Sequence, residues 1–172
     1  MRLKPLVCVC AVAAVVAVAS TARGQQVRSE NGSTHVRAGD KKAAVLLEAG
    51  LSASPTFRRI VDILEESDLV VYIETRPMTR PSHLQLAAVA GGRRYVRISV
   101  RLPGRDADLV AWLGHELQHA AELAAAREVV DENSLVRLYE RIGGVRRATG
   151  TMETRRAQEI WKKILDETRY GR

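Results

Sequence analysis

Cysteine is almost missing from this sequence. Cys8 and Cys10 are the only two in 172 residues, and both fall within the first 24. The rest of the chain can therefore form no disulfide and carry out no thiol chemistry. Histidine is nearly as scarce, with four, so two of them placed together stand out. Aromatic residues make up 4%, which leaves the core to aliphatic side chains. No segment repeats at a fixed period, and this excludes solenoids and propellers. A large excess of charge is also lacking. The formal net charge is +7, but Arg2, Lys4 and Arg23 lie in an acid-free leader. Without them 24 basic residues face 20 acidic ones, a charge of +4. So mild a bias argues against nucleic acid as a partner.

What is present is an ordinary globular composition, 46% hydrophobic and 27% charged, at a length that suits one domain. The N-terminus has the three parts of an export signal. Arg2 and Lys4 precede the apolar run from Leu6 to Ala19, and the small-residue tract Ser20-Thr21-Ala22-Arg23-Gly24 follows. The run falls short of the roughly 20 apolar residues of a membrane span. The expectation is a signal peptide over 1–24, a flexible linker over 25–40 and one domain over 41–172. Such a protein is periplasmic or extracellular, with no stable membrane insertion once the signal is cleaved.

Along the domain the pattern predicts helices, then a sheet, then helices, an α+β order. Asp40 is the expected N-cap of a helix to Ala49, with Gly50 just past its end. Ser54-Pro55 opens a second helix over 55–66, carried by Phe57, Ile60, Val61 and Leu64. Leu69 to Glu74 reads as a strand. Leu84–Ala90, the turn Gly91-Gly92 and Arg93–Leu102 read as a hairpin. In its second arm Val96, Ile98, Val100 and Leu102 share one face, and the arginines at 93, 94, 97 and 101 are read as a basic face. Asp106 is the expected N-cap of a long helix over 107–128. Further helices follow over 133–142 and 151–168.

Within the long helix stands His115-Glu116-Leu117-Gln118-His119. Histidines at i and i+4 lie on one helix face, so both imidazoles can reach one cation. Glu116 is rotated about 100° from His115, which sets it beside a water on that cation rather than on the cation itself. In zinc hydrolases this pairing yields a nucleophile at neutral pH. Two imidazoles and a carboxylate make zinc (Zn2+) the default metal.

Three residues are candidates for the third ligand. Glu122 shares the histidine face but stands about 10 Å along the axis from His115, which suits an acid behind the ligands better than a ligand. Asp131 follows the helix and can turn back. Glu153 is favoured, because it heads a stripe with Ala157, Ile160 and Ile164, where a carboxylate needs a cation or strong donor. His35 in the linker and His83 at the start of a strand are expected to lie outside the ligand set.

The HELQH segment, followed 34 residues after His119 by Glu153-Thr154-Arg155-Arg156-Ala157, resembles the HExxH…ExxxA arrangement of small gluzincin-type zinc metallopeptidases. It is similar to that of small bacterial peptidases that cleave phage-immunity repressors, and of short secreted HELQH proteins. The resemblance implies a minimal zincin-like fold, with a small, mostly antiparallel sheet packed on the HExxH helix. It implies His115, His119 and Glu153 as zinc ligands, Glu116 as general base, and a peptide or protein substrate. No glycine or third histidine follows His119, so the metzincin pattern is absent. The oxyanion donor stays open among Tyr139, Tyr95 and an arginine. A non-catalytic zinc-binding module of the cell envelope is the second expectation.

Overall fold

The computed structural model describes residues 35–147 and 151–171. The expected signal peptide, and the linker up to residue 34, lie outside the described residues. The end of that linker is a correction. Val36–Ala38 forms strand β1, with Val36 and Ala38 buried. Polar neighbours hide so short a strand in the sequence. It is held because His35 O accepts the Val71 N–H at 2.8 Å, and the Glu65 carboxylate accepts the N–H groups of His35 and Val36 at 3.1 and 3.0 Å.

Helix α1 spans Lys41–Ala53, and the Asp40 side chain accepts from the Ala43 N–H, as an N-cap should. The helix runs through Gly50 instead of stopping before it. That glycine serves close packing, since a Cβ there would stand 2.7 Å from the Phe57 ring. Helix α2 spans Pro55–Glu65, capped by Ser54, whose Oγ accepts from the Phe57 N–H.

Strands β2 (Leu69–Pro77), β3 (Ser82–Ala90) and β4 (Arg93–Leu102) complete a sheet in the order β1-β2-β4-β3. The β3–β4 hairpin forms as expected, with Gly91 and Gly92 both at positive φ. The sheet is nonetheless not mostly antiparallel. β1 pairs parallel with β2, β2 pairs parallel with β4, and only β3 with β4 is antiparallel. The reason lies in burial. β2 and β4 carry the strongest apolar rows, Leu69, Val71 and Ile73 beside Val96, Ile98 and Val100, all fully buried. They take the centre together, and β3, exposed from Ala87 to Ala90, is left at the edge.

Helix α3 spans Asp106–Ala124, α4 Glu132–Arg141 and α5 Arg155–Tyr170, with the short strands β5 (Val145–Arg146) and β6 (Met152–Glu153) pairing before α5. Asp106 lies in the first turn of α3, and Arg105 is its N-cap without a side-chain bond. There Asp106 and Asp108 meet the positive end of the helix dipole and pair with Lys42 and with Arg105 and Arg169. α3 ends at Ala124, four residues before the expected 128, and Arg94 takes carbonyls at and beyond that end. Arg94 is 2% exposed and donates to Leu123 O, Ala126 O and Val129 O at 3.0, 2.7 and 3.2 Å. Its Nε and Nη2 each reach the Asp68 carboxylate at 2.8 Å. Arg94 therefore does not belong to the basic sheet face. The chain is α+β, with its apolar core on the helical side of the sheet.

Candidate metal centre

Helix α3 is fixed under the sheet by Leu113, Leu117, Ala120 and Leu123, all fully buried. Gly114 lets α5 approach, since a Cβ there would collide with Ile164. This packing settles which way the neighbouring histidines face. The His115 and His119 ring centroids lie 4.9 Å apart, nearly perpendicular. Glu153 Oε1 stands 3.5 Å from His115 Nε2 and 3.6 Å from His119 Nε2. One ligand atom from each of the three residues falls within 4.8 Å of the others.

Glu153 joins the histidines by a route other than the one the helical stripe suggested. It closes β6, one residue before Thr154, the N-cap of α5. It therefore does not head the stripe of Ala157, Ile160 and Ile164. The other two candidates stand outside this cluster and are engaged elsewhere. Asp131 caps α4 in a reciprocal box with Ser134. Glu122 accepts from His119 Nδ1 at 2.9 Å through Oε2, and from the Thr154 hydroxyl at 2.8 Å through Oε1. It stands behind the histidine, on the side away from Glu153.

Each histidine is oriented from its far nitrogen. His115 Nδ1 donates to Ala157 O at 3.1 Å, which leaves the Nε2 lone pair facing Glu153. Such support of the distal nitrogen is what metal-binding histidines generally have. Burial lowers the His115 pKa, helped by the neighbouring His119 and opposed by Glu116 and Glu153. Burial pushes His119 down as well, but the Glu122 and Glu153 carboxylates outweigh it and raise its pKa to about 10. Burial pushes Glu153 up, yet the two histidines hold it below the ordinary carboxylate value. The cluster is thus organised to hold positive charge. Glu153 Oε1 is buried and makes no hydrogen bond of ordinary length; its only near partners among the described residues are the two histidine nitrogens, in long ion pairs at 3.5 and 3.6 Å, a looseness that buried carboxylates rarely show. With two imidazole Nε2 atoms beside it, the donor set fits zinc or a similar divalent cation.

Glu116 is buried and accepts from the buried Ser82 hydroxyl at 2.6 Å through Oε1. It faces a cleft of about 840 Å³ that also exposes His115, His119 and Glu153. The start of β3 forms one wall, α4 another, and residues 146–147 and 151–153 a third. Tyr139 on α4 packs edge-on against His119 at 5.4 Å. Burial, reinforced by Glu122, Glu116 and Glu153, keeps its phenol protonated well above the usual range. Tyr95 lines a separate hollow, and Arg80, Arg146 and Arg147 are the arginines in the cleft wall.

His83 lines the cleft without joining the ligand cluster. Burial lowers its pKa, with Glu116 opposing and Arg80 and Arg76 assisting. His35 is occupied elsewhere, against Leu64 O and Arg93. Ser82 and Thr154 are the site residues that sequence reasoning missed. Ser82 shares strand parity with buried Leu84, and Thr154 precedes a helical run. Both signals are legible, but neither points to a site before the partners are known.

In comparisons with known proteins, no family model, curated protein or solved structure matches the chain.

Proposed function

We propose that this protein is an exported zinc-dependent metallopeptidase. The observation that carries the reading is the buried, loosely held Glu153 oxygen beside two histidine nitrogens, with a second carboxylate, Glu116, one residue from His115 in an open cleft. His115, His119 and Glu153 hold the metal. Zinc, when bound, supplies Lewis acidity toward a water and the scissile carbonyl.

The rest of the chemistry belongs to the chain. Glu116 takes a proton from the attacking water and passes it to the leaving amine, and Ser82 fixes the rotamer in which it does so. Tyr139, a protonated phenol in the cleft wall packed against His119, is the donor we assign to the developing oxyanion. An extended peptide can add to the free side of β3, the edge strand that opens onto the cleft.

The open cleft favours catalysis over a closed structural zinc site. Elemental analysis of the purified protein tests the metal. One equivalent of zinc is expected, lost in both His119→Ala and Glu153→Ala. Glu116→Gln should keep the metal and lower peptide hydrolysis by about 10²–10⁴-fold. Full hydrolysis by metal-loaded Glu116→Gln would sink the catalytic reading, and zinc with no hydrolysis in the parent would leave a binding module.

A further inference from the structure

The sheet has helices on one side only, and its other side has a distinct composition. Strand alternation and the observed register place Arg37 of β1, Arg76 of β2, and Arg93, Arg97 and Arg101 of β4 on that uncovered face. Arg76, Arg93, Arg97 and Arg101 are exposed. Glu74 is the single carboxylate at an outward strand position among the described residues, and it is engaged by Ser99 at 2.8 Å and Arg76 at 3.4 Å. The face is also partly aromatic. Tyr72 is 38% exposed and Tyr95 partly so, with the Arg37 guanidinium 5.6 Å from the Tyr72 ring centroid. His35, Arg37, Arg93 and Tyr95 rim a hollow of about 300 Å³ over Val70. Val70 is buried yet stands apart from the main apolar core.

Five arginines against one occupied carboxylate is far from the near balance of the whole domain. It is a concentration on one flat surface, and no helix covers it. We propose that this face docks the protein on an anionic phospholipid bilayer. Guanidinium groups match phosphate oxygens in a fixed fork. Tyrosine rings settle at headgroup depth. A sheet presents its cations in one plane, which suits an extended planar array of charge. The cleft lies at the β3 edge, with His115, His119 and Glu153 on the helical side and His83 at the border of the arginine face, so the three clustered residues stay on the side away from the docked surface. This inference is independent of zinc and of hydrolysis.

The test is sedimentation of the full chain with vesicles of phosphatidylcholine, or of phosphatidylcholine and phosphatidylglycerol in equal parts. Any contribution of Leu6–Ala19 is common to both. The anionic vesicles should bind more tightly, and the excess should fall steeply with salt. Arg76→Gln, Arg93→Gln, Arg97→Gln and Arg101→Gln together should lower that excess roughly 600-fold, from about fivefold per arginine. A matched control removes four cations from exposed helical positions, Arg59→Gln, Arg156→Gln, Lys162→Gln and Lys163→Gln. It should retain most of the excess.

Equal binding to both vesicles, or an excess indifferent to salt, overturns the proposal. So does an equal loss in the control, which would mean net charge alone. Binding to a single-stranded oligonucleotide without binding to anionic vesicles also overturns it. Arg2→Gln, Lys4→Gln and Arg23→Gln together should keep most of the excess; its loss there would assign the binding to the leader and overturn the proposal.

Discussion

Helix α3 meets two buried charged clusters, and they are opposites. At its C-terminal end Arg94 enters the core with every guanidinium nitrogen engaged, by three carbonyls and the Asp68 carboxylate. One turn and a half earlier, His115, His119 and Glu153 converge with a carboxylate oxygen that no hydrogen bond of ordinary length satisfies. The first cluster is complete within the protein. The second is complete only on its outer side, where Ala157 and Glu122 hold the far nitrogens and Thr154 holds Glu122, and it is open toward the cleft. Burial alone does not separate structure from function here, since both are buried. The difference lies in whether the hydrogen-bond account closes without an added ion.

Three experiments press on that contrast. The largest effect should come from Arg94→Met, which leaves Asp68 and the end of α3 unpaired. A loss of about 3–5 kcal/mol in urea unfolding is expected. If the proposed centre holds zinc, the metal should raise the melting temperatures of this variant and of the parent alike, and should do nothing for His119→Ala. If zinc failed on Arg94→Met while the protein was folded, the two clusters would be one cooperative unit.

A smaller effect is expected behind the metal. Glu122→Ala removes the support of His119 and should weaken zinc affinity by about 10–100-fold while leaving one site per chain. Competition with a chelator measures this, and complete loss of stoichiometric binding would return Glu122 to the ligand set.

The smallest is the response to acid of the satisfied cluster. The Arg94 hydrogen bonds hold the Asp68 pKa below its ordinary 3.8. Its contribution to stability is thus full above that ordinary value and fades as pH falls through the lowered one. Asp68→Asn should flatten the stability profile below about pH 4 relative to the parent, as read by thermal melts across that range.

Much of this was legible in the sequence, for local reasons. The 3.6-residue period put His115 and His119 on one face, and the Gly91-Gly92 turn announced the hairpin. Axial distance along the helix separated Glu122 from the ligands. Other features depended on partners that no local pattern names. The parallel pairing of β2 with β4 rests on which strands bury most, a comparison across the chain. Gly50 resembles a helix stop until Phe57 is seen lying on it. Glu153 was chosen for a helical stripe it does not join, and the cap at Thr154 is what aims it. Arg94 is the instructive miss. Its parity with Val96, Ile98 and Val100 already assigned it to the core side, and its charge alone suggested the surface.

The start of α5 reaches both histidines, through Ala157 on one and through Thr154 and Glu122 on the other, and Glu153 immediately precedes it. A chain growing from the ribosome makes His115 and His119 some forty residues before these supports exist. Until residues 153–157 have emerged and docked, the helix bears two loosely held imidazoles and no third ligand. A metal held by these three residues would therefore depend on the docking of α5 and not on the HExxH helix alone. A chain cut before residue 153 would carry the motif without its third carboxylate and without the Ala157 and Thr154 contacts behind it.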